Sequence, residues 1–313
     1  MQFFVGTNID FVRIRKYGYI LSISLLVIGI IFYIMRGGLN YGVDFRGGVS
    51  IRVQFTKKVN IGDVRNSLGK IGYAGTELKQ SVLNQGGKSV EEYIIRFQAE
   101  TESVNAGERV LTQLSKDFGA DNVVLRSVET VGPKIGGELR KAAIYASLLS
   151  LLLVMVYIAW RFEFRFAVGA IIPLFHDVLV IIGLFAFLNI EITLVIVAAV
   201  LTIIGYDIND TIVVYDRIRE NLKNLRRENY FTIVNKSINE TLSRTIITGL
   251  STLFVLIILF FFGGDVIHDF AFVLFFGIVI GTYSSIFVAA PLLIEWERWQ
   301  LRHGKTSIRE KKS

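Results

Sequence analysis

Residues 201–219, LTIIGYDINDTIVVYDRIR, set two carboxylates, Asp207 and Asp210, inside a run otherwise apolar enough to span a bilayer. An acid at that depth costs roughly 2.5–3.5 kcal/mol even on insertion scales, so it persists where it is paired or where it works. Asp207 and Asp210 are i and i+3 and lie on neighbouring parts of one helix face, with Tyr206 one turn before Asp210. Asn209 and Thr211 make the patch more polar still. This helix therefore has a wet or paired side.

Lipid is the expected solvent for most of the chain. Of 313 residues 52% are hydrophobic, mean hydropathy is +0.51 and there are only three prolines, so a soluble domain of ordinary make-up is excluded. Six stretches are long enough to cross about 30 Å of hydrocarbon as helices: Tyr17–Met35, Ala142–Trp160, Phe166–Leu188, Ile192–Tyr215, Leu242–Phe262 and Phe270–Ile294. The first reads as an uncleaved anchor, because its 19 residues exceed a signal-peptide core and Met35-Arg36-Gly37-Gly38 is no A-x-A cleavage site. With the N-terminus inside, segments 1–16, 161–165, 216–241 and 295–313 carry three, two, six and six Lys/Arg, whereas the opposite loops 189–191 and 263–269 carry none. The positive-inside rule then puts both termini, including the basic tail 295–313, in the cytoplasm. It also accounts for the net charge of +7 without a nucleic-acid partner.

Residues 36–141, between the first span and the helices of 142–294, form the one substantial extramembrane piece. Its pattern is strand at Gly48–Phe55, helix at Ile61–Ile71, strands at Glu77–Leu83 and Glu91–Phe97, helix at Glu102–Phe118 and strand at Asn122–Val131. That order predicts a ferredoxin-like α+β domain. With no cysteine it must be held by its own core.

Catalytic motifs are not found. Gly86-Gly87-Lys88-Ser89 resembles the end of a phosphate loop, but Val82 stands where the first glycine is needed and no helix follows, so a hairpin turn is expected. His176, His268 and His303 are far apart in sequence, which argues against a structural metal site, and no nucleophile elbow is present. Neither an enzyme nor a cofactor is expected.

What remains is ionisable chemistry in the membrane. His176 and Asp177 lie near the middle of the third span, just after the kinking Pro173, and read either as a proton relay or as a self-satisfied structural pair. Arg244, at the start of the fifth span, reads either as the counter-charge to Asp210 or as an interfacial arginine snorkelling to the headgroups. An Asp–Arg pair would be a two-state element that a proton can bias. Gly277, Gly281, Ser285 and Ala289 repeat every four residues in the sixth span, a stripe that permits close helix packing.

Five ordered segments resemble a known family: Tyr41-Gly42-Val43-Asp44-Phe45-Arg46-Gly47-Gly48, Val131–Arg140 (VGPKIGGELR), His176-Asp177-Val178, Gly205–Asn221 and Asn239–Thr245 (NETLSRT). They are similar to SecF, the smaller subunit of the bacterial SecD/SecF protein-export complex, in the resistance-nodulation-division superfamily. The resemblance spans residues 1 to about 300. It implies an inner-membrane accessory subunit that pairs with a SecD-like subunit at the translocon channel. It implies too that the proton-motive force is used to draw the translocating preprotein outward, with protons as the coupling ion. By motif it assigns Asp210 as the essential acid and Arg244 as its partner in the proton path. The family usually has a small polar residue, often Ser, where this chain has Asp207, a second acid three residues from Asp210 that could couple to it and shift which of the two titrates first. A half-sized small-molecule or lipid exporter and a purely structural translocon subunit are the competing readings.

Overall fold

The computed structural model describes residues 7–73, 75–85, 88–97, 106–225 and 227–303. Among them six helical segments are long and apolar enough to cross a membrane. The chain divides into two units, residues 41–145 with 191–194, and the remainder.

In the smaller unit, α2 (Val43–Arg46) leads into β1 (Gly48–Phe55), followed by α3 (Ile61–Gly69), β2 (Glu77–Gln85), β3 (Lys88–Phe97), α4 (Ala106–Phe118) and β4 (Val123–Val131). All pairings are antiparallel and the sheet order is β2-β3-β1-β4, the ferredoxin-like arrangement expected from the strand–helix pattern. Alternation explains the core. Val49, Ile51, Val53 and Phe55 of β1 point to one face and are buried with Val64 and Leu68 of α3 and Val110 and Leu114 of α4. The N-cap Asn60 accepts a hydrogen bond from the Gly62 amide at 2.8 Å, which fixes the start of α3. Gly86 and Gly87, expected as a hairpin turn, lie outside the described residues, as do residues 102–105 at the expected start of α4 and 304–313 of the basic tail.

Residues 191–194 contribute to this unit, so the fourth span, expected from Ile192, begins as a helix only at Leu194. Tyr41 bridges to Ile192, the Gly42 amide donates to the Ile192 carbonyl at 2.8 Å, and the Leu194 amide donates to Asp44 Oδ2 at 2.8 Å. Arg96 pairs with Glu191.

The larger unit is helical: α1 (Phe11–Met35), α5 (Pro133–Arg161, shared with the smaller unit), α6 (Phe164–Leu188), α7 (Leu194–Asn224), α8 (Tyr230–Phe262), α9 (Gly264–Ser284) and α10 (Ala290–Arg302). A π-helical turn, Ser285–Ala289, joins α9 to α10 within the sixth span. The α7 and α8 helices run beyond the expected spans because the ends that adjoin their connection are tied by polar groups. Asn221 donates to Ser237 Oγ (3.0 Å) and Glu240 Oε2 (2.7 Å), and Arg217 donates to the same Glu240 oxygen at 2.7 Å. α1 crosses α6 at Gly29 and Gly183, so closely that a Cβ on Gly29 would stand 2.7 Å from Gly183 Cα. Between lipid-facing helices such backbone contact replaces the missing hydrophobic driving force. The core of this unit holds Phe166, Tyr215, Ile218, Val234, Ala289 and Leu293, buried together.

Candidate functional site

Polar residues at membrane depth concentrate on α6, α7, α8 and α9. Asp207 and Asp210 of α7 are both buried, at 4% and 5% exposure, as expected for one inward face. The Tyr206 hydroxyl donates to the Thr248 carbonyl of α8 at 3.0 Å and lies 3.2 Å from Thr252 Oγ1. Because α7 and α8 are consecutive and antiparallel, a step of one turn from this contact sets Asp210 level with Arg244. The Arg244 charge acts on Asp210 electrostatically, yet Arg244 is exposed and closes no ion pair among the described residues. The two groups expected to pair are thus brought to the same height in an open arrangement.

Asp207 is more isolated. Neither of its carboxylate oxygens has a hydrogen-bond partner among the described residues, and it packs on Gly281 of α9, where a Cβ would overlap the carboxylate. The i+4 stripe on α9 is therefore what lets α7 approach: Gly277 lies against Ile203 and Gly281 against Asp207. Ser285 belongs to the buried π-turn and donates to the Thr282 carbonyl at 3.0 Å. On α6, His176 Nδ1 and Asp177 Oδ1 are 2.8 Å apart and buried, with His176 Nε2 unpartnered. Asp177 and Asp210 both exert an electrostatic effect on Asp207, so three acids from two helices share one region. Asn209 turns away, to the exposed side of α7.

Two participants are not legible in the sequence. Ser284 is buried and its hydroxyl faces Asp177. It stands one place off the i+4 stripe, so no spacing rule singles it out. Thr245 is also buried, its hydroxyl unpaired among the described residues, beside Arg244 in the chain. No group of three or more His, Cys, Asp or Glu residues suited to a metal is found among the described residues.

Comparison with known proteins identifies the family. Residues 110–299 match the model of the protein export membrane protein SecD/SecF C-terminal family, and residues 34–59 match the SecD/SecF GG motif. The protein translocase subunit SecF of Haemophilus influenzae is 44% identical over 90% of this chain and 84% of its own length. That of Desulfurispirillum indicum is 42% identical over 97% of this chain and 96% of its own. The crystal structure of SecDF from Thermus thermophilus, a translocon-associated membrane protein, superposes with a TM-score of 0.82 at 36% identity over 95% of this chain. The chain spans 40% of that longer protein. By family model, relatives and fold alike, the chain belongs to the SecF family of protein translocase subunits, multi-pass proteins of the Sec export machinery.

Proposed function

We propose that this chain couples the proton-motive force to preprotein export across the bacterial inner membrane, in complex with a SecD-type subunit beside the translocon channel. The N and C termini are cytoplasmic and the ferredoxin-like unit is periplasmic in this reading, as the distribution of Lys and Arg among the short loops requires. The observation that carries it is Asp210, a buried intramembrane acid level with an unpaired arginine on the next helix. A proton arriving from outside neutralises Asp210 and releases its hold on Arg244. Loss of the proton to the cytoplasm restores it, so the two states of α7 and α8 alternate with protonation.

A partner subunit is supported by what the isolated chain leaves uncovered. Thr202, Gly205 and Asn209 form an exposed strip along α7, and Arg244 is exposed on α8. A guanidinium and an amide at that depth are too costly to face lipid, so this side fits a second helical bundle or a water-filled seam. One charge crossing 100 mV supplies about 2.3 kcal/mol, enough to bias a two-state equilibrium nearly fifty-fold. Export of a whole chain therefore takes repeated cycles.

The test is preprotein translocation into inverted vesicles that contain this chain and its partner, with and without an imposed proton gradient. Asp210→Asn is expected to abolish the gradient-stimulated fraction at normal expression. Full stimulation in that variant would make the chain a structural subunit instead.

A further inference from the structure

His176, Asp177, Asp207 and Ser284 gather buried polar groups in one region of the bundle: His176 bonds Asp177, Asp177 acts electrostatically on Asp207, and Ser284, one turn along α9 from the Gly281 that Asp207 packs on, faces Asp177. Asp207 presents two acceptor oxygens and His176 its Nε2, each without a hydrogen-bond partner among the described residues and each on a side chain more than nine-tenths buried, and the buried Ser284 hydroxyl faces Asp177. Unpaired buried polar atoms are rare because each forfeits its hydration, and several in one region mean that the site holds something that satisfies them. A metal ion fits poorly, since the described residues contain no cluster of three or more such ligands. Water and a proton fit well.

We propose that Asp207, the His176–Asp177 pair and Ser284 form a second proton-binding site, bridged by water between α6, α7 and α9 and in series with Asp210. This rests on the proton-driven reading above. In the proposed site Asp177 as a carboxylate accepts from His176 Nδ1 across their 2.8 Å contact, which leaves the buried Nε2, without a partner among the described residues, as the free base. In the transfer the O–H bond of protonated Asp207 breaks, its proton passes through the bridging water, and an N–H bond forms at Nε2. The imidazolium is then offset by Asp177, and the reverse step regenerates neutral His176 and protonated Asp207. Asp207 stands one turn from Asp210, which continues the path toward Arg244.

The other groups around the cluster are accounted for. On α9 the Tyr283 hydroxyl donates to the Gly18 carbonyl at 2.5 Å and lies 3.2 Å from Ser22 Oγ of α1. On α8 Arg244 acts on Asp210. The π-turn that begins at Ser285 adds an independent sign, because such turns inside helices concentrate at functional sites.

Difference infrared spectroscopy of the full chain in nanodiscs, titrated with pH, reads protonated carboxyls directly. The wild type is expected to show separate bands for Asp207 and Asp210. Asp207→Asn and Asp207→Ser each remove the first, Asp210→Asn removes the second, and His176→Gln shifts the pH at which the Asp207 band titrates. Asp207→Ser supplies a small polar residue compatible with the contact on Gly281, and its monodispersity in detergent guards against misreading a misfolded variant. The proposal is overturned if Asp207→Asn removes no band, or if His176→Gln leaves the Asp207 titration where it was. Export that responds fully to the gradient in Asp210→Asn, with the Asp207 band intact, would count against the proton-driven export reading while leaving the site itself standing.

Discussion

Single side chains in the two units illustrate opposite uses of charge. In the ferredoxin-like unit Asp117 accepts from Lys70 Nζ at 2.8 Å, Ser67 Oγ at 2.7 Å and Gln113 Nε2 at 2.9 Å, and these bonds hold its carboxyl down to about 2. A carboxyl depressed below its unfolded value of about 3.9 stabilises the fold above that pH, and the contribution is lost as pH falls toward 2. Carboxyl NMR titration should find Asp117 near 2, and Asp117→Asn should flatten the acid limb of the stability profile; an ordinary carboxylate titration would refute the triple contact. In the bundle, by contrast, Asp207 has no such donors. The acids of α7 were legible in the sequence because charge in an apolar run is conspicuous. Ser284 was not, since a lone serine in a membrane helix is ordinary and only the fold brings it to Asp177.

Helices and strands follow from periodicity where one face is buried and one is not. β1 alternates, and its inward set is the core set. The extensions of α7 and α8 beyond their apolar spans were missed because hydropathy registers only the part inside lipid, while Asn221, Ser237, Glu240 and Arg217 continue the helix pair by hydrogen bonding. At the start of the fourth span, expected from Ile192, the helix begins only at Leu194, because Glu191–Leu194 bonds to Gly42, Asp44 and Arg96, partners distant in sequence. At this scale the α7–α9 contact makes a clear demand. Gly281→Val inserts bulk into the Asp207 carboxylate and should destabilise the purified chain by about 1–3 kcal/mol, seen as a lower Tm. An unchanged Tm would mean that α9 does not pack against α7 as described.

For the whole molecule, the family and the six-span plan were legible in ordered motifs, and the strand–helix order gave the sheet arrangement before any coordinates. What no pattern could supply was the open relation between Asp210 and Arg244, which is a matter of helix register and of a face the isolated chain leaves exposed. That openness is the centre of the functional account: an acid and a base held level but unpaired can be switched by one proton. It is tested most directly by proton influx into vesicles reconstituted with this chain and its SecD-type partner, followed with an internal pH dye under an imposed gradient. The account predicts influx in the wild type and none above the protein-free background in Asp210→Asn. Equal influx in both would contradict it.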